Sequence, residues 1–592
     1  MKGTTKHGRP RSEEGSAGFW IPAIFLAFAF AAVVANQFRV QWFGRGAILA
    51  RAAEVDRLWA EDVVRARRGD IFDANLRLLA ESVDAVVLGI DGRTKGPPDN
   101  PAFWAELGAA AGVSGAELRD YAMRKGAPND FDFILTRHQA KRVGAVRSRY
   151  GANGVWTRPV ETREYPLGRY TAPIIGFLDS SGAGQTGLEK SFSEQLKGTP
   201  GEKKGITDDD GHFLPWLNQE EREAIAGKDV QLTIDADLQI SVMNALAAAC
   251  EKHGATRGSA IVLEPKTGDV LALATWPTYD PDKIAEAKRD AGAGGGVSPE
   301  VNPAIELRFE PGSTFKVFTL ALGLETGAIE ANTTMQCAGT KSFDGTPMSC
   351  AGDHGGRAHG TVSPAKCMEV SCNLAAATWA VKMGFKTYTD MIRDLGLLAP
   401  QNVGLPNENR TRIDWEDFNK TIQTANLGFG QAMGTTPIGL ASAFTVFGND
   451  GVRSIPRLVK SINGKEQPVR HGKRVFSAKT SREVLHMMDA VIQGDRGTGK
   501  RMRINGYRLA GKTGTAQKIG SSPLPGSQYV SNFVGYVPAK NPRAVVLVMI
   551  DEPQKGGYYG GVVAGPVFQE TARQLIRKFR ISPSEGGAVA PH

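Results

Sequence analysis

Cysteine is scarce in this chain and unevenly placed: the 592 residues hold five, and all but one lie between Cys337 and Cys372. Long hydrophobic runs are scarcer still, with a single one from Phe19 to Ala35 that extends at most to Phe38. Basic residues are not interleaved with aromatics in the way that grips nucleic acid, and the formal charge of +9 is modest for this length. Nucleic acid is therefore not an expected partner. A partial phosphate-loop pattern, Gly494 with Gly499-Lys500, meets Arg501 where Ser or Thr is required, which removes nucleotide binding. Residues 40 to about 225 carry no catalytic constellation. What remains is ordinary folded protein, 41% hydrophobic and 22% charged, long enough for several domains.

The hydrophobic run is close to the lower length limit of a membrane-spanning helix, with Trp20 and Trp42 placed for the two interfaces. Two readings stay open: an uncleaved single-pass anchor, or a signal peptide cut near Val33-Val34-Ala35. Both export the remainder, to the periplasmic face of an inner membrane in the anchored reading. The expected layout is a cytoplasmic tail at 1–18, an anchor at 19–38, a pedestal at 39–225, a catalytic domain at 226–580 and a disordered tail at 581–592. Val230 to Asp235 reads as a strand, Leu238 to Cys250 as a helix, and Lys266 as the tip of a hairpin. The Gly-rich run Ala291 to Gly296 reads as a mobile loop near the chemistry. Ser313 to about Leu395 is mostly helical in pattern, while Tyr507 to Gln517, Asn532 to Val537 and Ala544 to Ile550 read as strands. Strands, helices, then strands predict an α+β fold, an antiparallel sheet with a helical subdomain.

Three short motifs in fixed order carry the chemistry: Ser313-Thr-Phe-Lys316, Ser371-Cys-Asn373 and Lys512-Thr-Gly514-Thr515. Each alone is weak, since about two Ser-x-x-Lys matches are expected by chance in such a chain. Decoys exist and context removes them. Lys266-Thr-Gly268 sits in a hairpin tip, Ser461-Ile-Asn463 runs into an Asn-Gly turn, and Ser363 precedes a proline as a helix cap. Pro311-Gly312 places Ser313 at a helix start, and three residues is nearly one turn, which brings Lys316 beside it. A neutral lysine can take the serine proton, since desolvation and neighbouring cations depress an amine pKa. Ser371 can relay a proton and the Asn373 amide can hold a carbonyl. Gly514 bares its strand for an approaching peptide backbone, with Lys512, Thr513 and Thr515 available to a carboxylate. Strict strand alternation would put Lys512 and Thr513 on opposite faces.

With these motifs the chain resembles a class B penicillin-binding protein from the anchor to about residue 578. Arg68-Gly-Asp-Ile-Phe-Asp73, Gly187-Leu-Glu189, Leu232 to Asp235 and Gly428 to Pro437 match the usual landmarks of that family. Tyr558-Tyr-Gly-Gly561 and Ala564 to Phe568 look more like its division-specific penicillin-binding protein 3 branch than its elongation branch. A glycosyltransferase module before the pedestal and a repeat module after residue 580 are not expected. The resemblance implies a D,D-transpeptidase that cross-links peptidoglycan stem peptides from a lipid-linked precursor. It implies Ser313 as nucleophile, Lys316 as base, and an oxyanion hole from the N–H groups of Ser313 and Thr515. It implies Ser371 as proton donor to the leaving D-Ala, Asn373 as a hold on the donor peptide, and Lys512, Thr513 and Thr515 on the terminal carboxylate. β-Lactams would trap Ser313. Expected partners are the membrane, a polytopic glycosyltransferase and other divisome proteins. Three other readings use the same residues: an elongation-specific transpeptidase, a penicillin-binding sensor or silent scaffold, and a hydrolase with water as acceptor.

Catalysis needs no cofactor in this reading. Cys337, Cys350, His359 and Cys372 nevertheless make a Cys3His set, the composition of a closed structural zinc site. The layout resembles a metal site in some elongation-branch relatives. A Cys337–Cys350 disulfide, natural in an exported compartment, and free thiols are the alternatives. His354 and Cys367 are the substitutes for His359 and Cys372.

Overall fold

A computed structural model of the protein describes residues 17–39, 59–90, 100–123, 130–152, 154–179, 181–207, 220–293, 298–350, 356–413, 419–518 and 528–584. The chain divides into two compact units, one of Met1–Ala66 with Thr199–Ile225, the other of Arg67–Gly198 with Ala226–His592.

In the first unit, the apolar run forms the helix Ala17–Phe38, on which Phe25, Leu26, Phe28 and Phe30 stand exposed. Among the described residues no helix is long and apolar enough to cross a membrane. The rest of this unit is an antiparallel sheet in which Gly201–Ile206 lies between Trp59–Val64 and Glu220–Arg222.

Among the described residues the second unit holds two large sheets and three two-stranded ones. A seven-stranded sheet joins segments from both sides of residue 225: Val230–Leu232 pairs in parallel with Ile71–Phe72, which pairs in turn with Leu78–Ile90. Beside it, Glu189 is fully buried and receives Arg68 Nε at 2.6 Å and Arg163 Nε at 2.7 Å. A buried carboxylate between two guanidiniums accounts for the Arg68 and Glu189 landmarks, because either charge alone there would go unpaired at a cost of several kcal/mol.

The other sheet is five-stranded and antiparallel throughout. Its order is Val270–Trp276, Arg257–Leu263, Ala544–Asp551, Tyr529–Val537 and Ala510–Gln517. The strand of Lys512 is therefore an edge. The central strand Ala544–Asp551 is buried at every position, as an unbroken Ala-Val-Val-Leu-Val-Met-Ile run requires. Helices Ala236–His253 and Gly565–Lys578 cover one face. The helical subdomain covers the other, centred on Lys316–Glu325, a helix whose Val317, Phe318, Leu320 and Ala321 have no exposed surface. Phe318 packs there against Phe444 with ring centroids 4.6 Å apart.

The hairpin at Lys266 forms as expected, between Arg257–Leu263 and Val270–Trp276. The Asn463-Gly464 turn also forms, both residues at positive φ between Val459–Ile462 and Lys465–Glu466. Two expectations need correction. The stretch from Ser313 to Leu395, expected to be mostly helical, also holds four short strands, Met335–Cys337, Thr340–Phe343, Thr346–Ser349 and Gly360–Val362. They are too short for alternation to declare itself. Of the Gly-rich run, Ala291 to Ala293 close the helix Ile284–Ala293, while 294–297 lie outside the described residues. The expected tails, 1–16 and 585–592, and His354 also lie outside them.

Candidate active site

Ser313 lies in a 3-10 turn, Gly312–Phe315, that leads into the α-helix Lys316–Glu325. Gly312 takes φ +54°, and a Cβ there would stand 2.8 Å from the Thr515 carbonyl oxygen. The turn thus rests directly against the edge strand, which only glycine permits. Ser371 follows the short helix Pro364–Val370 and takes a left-handed φ of 59°, unusual for serine. That twist turns both its hydroxyl and its carbonyl toward Lys316. Asn373 opens the next helix, Asn373–Met383.

These placements converge on the Lys316 ammonium. Its Nζ lies within hydrogen-bonding distance of Ser313 Oγ at 2.9 Å, Ser371 O at 2.7 Å, Ser371 Oγ at 3.1 Å and Asn373 Oδ1 at 2.5 Å. Lys512 Nζ reaches the same Ser371 Oγ at 2.9 Å. Both lysines have zero exposed surface. Burial lowers the Lys316 pKa from 10.5 to about 8. Burial, reinforced by the charge of Lys316, also holds Lys512 well below the ordinary lysine value. Ser313 Oγ, Lys316 Nζ, Ser371 Oγ and Lys512 Nζ form one continuous chain along which a proton can pass.

The hydroxyls of Thr513 and Thr515 have partners of their own. Thr513 Oγ1 lies 2.8 Å from Thr498 Oγ1, and Thr515 Oγ1 accepts from the Gly560 N–H at 3.0 Å. The two sides of the strand are thus divided as its period of two predicts, Lys512 toward Ser371 and Thr513 toward Thr498 and Gly561. Gly514 meets a second constraint beside the expected one. A Cβ there would lie 2.2 Å from Asn532 Oδ1, so the neighbouring strand already demands glycine at this position.

Three residues near the chemistry were not singled out by motif. Thr498 arrives on the loop Gly494 to Gly499, the segment that failed as a phosphate loop. Asn532 donates to the Pro311 carbonyl at 3.2 Å and so ties the nucleophile turn to the sheet. Glu310 accepts from the Ala432 N–H at 2.8 Å, and burial raises its carboxyl to about 7. Only Thr498 had a sequence signal, its glycine-flanked setting.

Cys337, Cys350, His359 and Cys372 bring one ligand atom each to within 4.8 Å of one another. Cys350 Sγ lies 3.6 Å from Cys337 Sγ and 3.5 Å from Cys372 Sγ, and Cys337 Sγ lies 3.6 Å from His359 Nδ1. Tetrahedral zinc–sulfur bonds of about 2.3 Å separate their ligands by roughly 3.7 Å, so the donor set fits that ion. No disulfide joins any of the five cysteines. Cys367 stays outside the set and donates to the Cys372 carbonyl at 3.4 Å.

The geometry can be set beside known proteins. Residues 258–573 match the penicillin binding protein transpeptidase domain, and residues 63–232 match the penicillin-binding protein dimerisation domain. Penicillin-binding protein PbpB of Mycobacterium tuberculosis is 31% identical over 566 residues, covering 90% of this chain and 82% of the relative. Peptidoglycan D,D-transpeptidase FtsI of Escherichia coli is 28% identical over 589 residues, covering 98% of this chain and 96% of the relative. The crystal structure of penicillin binding protein 3 from Mycobacterium tuberculosis with aztreonam superposes at a TM-score of 0.65 with 27% identity, covering 90% of this chain and all of that one.

The Lys316 environment predicts how acylation depends on pH. The base acts when neutral, so the rate should rise close to tenfold per pH unit below about 8 and level off above it. Stopped-flow acylation by a penicillin from pH 6 to 9 measures this; a flat profile contradicts the role of Lys316.

Proposed function

We propose a course of reaction for a chain that belongs to the penicillin-binding protein transpeptidase family and is a peptidoglycan D,D-transpeptidase. Ser313 Oγ attacks the carbonyl of the penultimate D-Ala while its proton passes to neutral Lys316. The oxygen that becomes negative is held by the N–H groups of Ser313 and Thr515. The C–N bond breaks as Ser371 gives its proton to the departing D-Ala nitrogen, and Lys316 restores that proton to Ser371. The ester on Ser313 is then attacked by an amine of a second stem peptide, forming the new amide and returning the proton to Ser313. Asn373 holds the donor's amide, and Lys512 with Thr513 and Thr515 holds its terminal carboxylate.

The observation that carries this reading is the single hydroxyl of Ser371 shared by two buried lysines, one of them in contact with the nucleophile. Fluorescent penicillin should label the protein, and Ser313→Ala should abolish labelling. Label retained by the variant would move the nucleophile elsewhere.

The finer role proposed is septal synthesis by a protein anchored through the apolar helix Ala17–Phe38, with the catalytic domain outside the cytoplasm. Tyr558-Tyr-Gly-Gly561 and the likeness to penicillin binding protein 3 support it. A polytopic glycosyltransferase and other divisome proteins are the partners this role calls for. The Cys3His set favours the competing elongation role. Depletion decides between them: filaments are expected for a septal enzyme, round cells for elongation.

We also propose that Cys337, Cys350, His359 and Cys372 hold a structural zinc ion. Four protein ligands leave no open position, so the ion supplies rigidity and no chemistry. Cys372 lies between Ser371 and Asn373, and the ion would brace that corner of the site. Elemental analysis of purified protein should give about one zinc per chain. Its absence under reducing conditions would leave the disulfide or the free thiols.

A further inference from the structure

Asparagine is disfavoured within strands, yet Asn532 sits in the interior of Tyr529–Val537 with no exposed surface. Its Nδ2 donates to the Pro311 carbonyl at 3.2 Å, while its Oδ1 is buried and has no hydrogen-bond partner among the described residues. An unpaired buried acceptor lowers stability, and an apolar side chain of the same size would avoid that loss. Folding alone does not account for an amide here. The two backbone segments it touches do.

The first is the peptide unit between Pro311 and Gly312, which is held from three directions. Its oxygen accepts from Asn532 Nδ2 and, at 2.8 Å, from Thr314 Oγ1, and its N–H donates to the Gly430 carbonyl at 2.9 Å. Only the α-carbon of Gly312, packed against Thr515, separates that fixed plane from the Ser313 N–H. The second segment is Gly514, which the sheet register sets directly opposite Asn532. A Cβ on Gly514 would fall 2.2 Å from Asn532 Oδ1 and 2.7 Å from its Nδ2, so the amide lies flat against this residue. Gly514 immediately precedes the Thr515 N–H. One buried amide thus stands between the two stretches of backbone that end in the Ser313 and Thr515 N–H groups.

Resting on the proposed reaction, we infer that Asn532 is a positioning residue that sets the separation of these two donors, and with it the fit of the oxyanion hole to the oxygen that becomes negative. Having no exposed surface, Asn532 does not touch substrate; it acts through the Pro311 carbonyl and through Gly514. A shorter side chain lets the nucleophile turn settle toward the strand, and an apolar one releases the Pro311 carbonyl. Either change moves one donor relative to the other. Rates that depend on preorganised donors fall steeply with such small displacements.

The test uses the full chain and two donors, an ester and its thionoester, which differ only in the atom double-bonded to the scissile carbon. Sulfur is a weak hydrogen-bond acceptor, so the thionoester draws little from the hole. Active protein is counted by exhaustive penicillin titration, so failure of the acyl-enzyme reading shows separately as no titratable sites in the wild type. Asn532→Ala and Asn532→Leu, the second of which keeps the side-chain volume, should each lower kcat/KM for the ester about tenfold or more and for the thionoester far less. The ester-to-thionoester ratio therefore falls, while the pH inflection near 8 set by Lys316 stays in place. Equal proportional loss on the two donors overturns the inference, as does wild-type kcat/KM in both variants. A loss accompanied by a moved inflection places the effect at Lys316 and overturns it too. So does the absence of titratable sites in both variants, which makes Asn532 a residue of the fold alone.

Discussion

Two lysines with no exposed surface meet at one serine hydroxyl, and most of the site follows from that constraint. Water cannot stabilise either ammonium, and each raises the cost of charging the other. The pair therefore cannot behave as two ordinary lysines. Burial brings Lys316 into a range where a neutral amine is accessible near physiological pH. The surrounding acceptors, Ser371 O and Asn373 Oδ1, keep the protonated form from being prohibitive. A group that must take a proton and then release it needs both influences.

That balance explains the unusual backbone around it. Ser371 in the left-handed region and Gly312 at positive φ are local costs, each maintained because neighbouring elements leave no other conformation. Gly312 lies against Thr515, Asn532 holds Pro311, and Gly514 gives room to Asn532. The nucleophile turn and the edge strand are consequently one mechanical unit. If Cys372 is also fixed through Cys337, Cys350 and His359, the third corner is restrained from the far side as well.

The edge position of Ala510–Gln517 has two consequences of opposite kind. An open edge invites any passing strand, a liability in most sheets. In the proposed reaction the same unpaired backbone is what a donor peptide needs.

Much of the catalytic domain was legible in the chain. Long β-rich runs such as Ala544–Asp551, the Asn463-Gly464 turn and the Pro311-Gly312 helix start have local causes, so their elements form where pattern places them. The three motifs were recognisable for the same reason, since Ser313 and Lys316 are neighbours through one helical turn. The short strands between Met335 and Val362 were not legible, because three or four residues carry no usable period. Thr498, Asn532 and Glu310 were not legible either, as their importance comes from contacts 15 to 221 residues away in the chain. By itself the sequence determined which groups can do acyl transfer and which elements carry them. Only the tertiary structure decided that Ser371 stands between two lysines and that Gly514 answers to Asn532. Burial and the meeting of distant segments decide those features, and neither is encoded in local spacing.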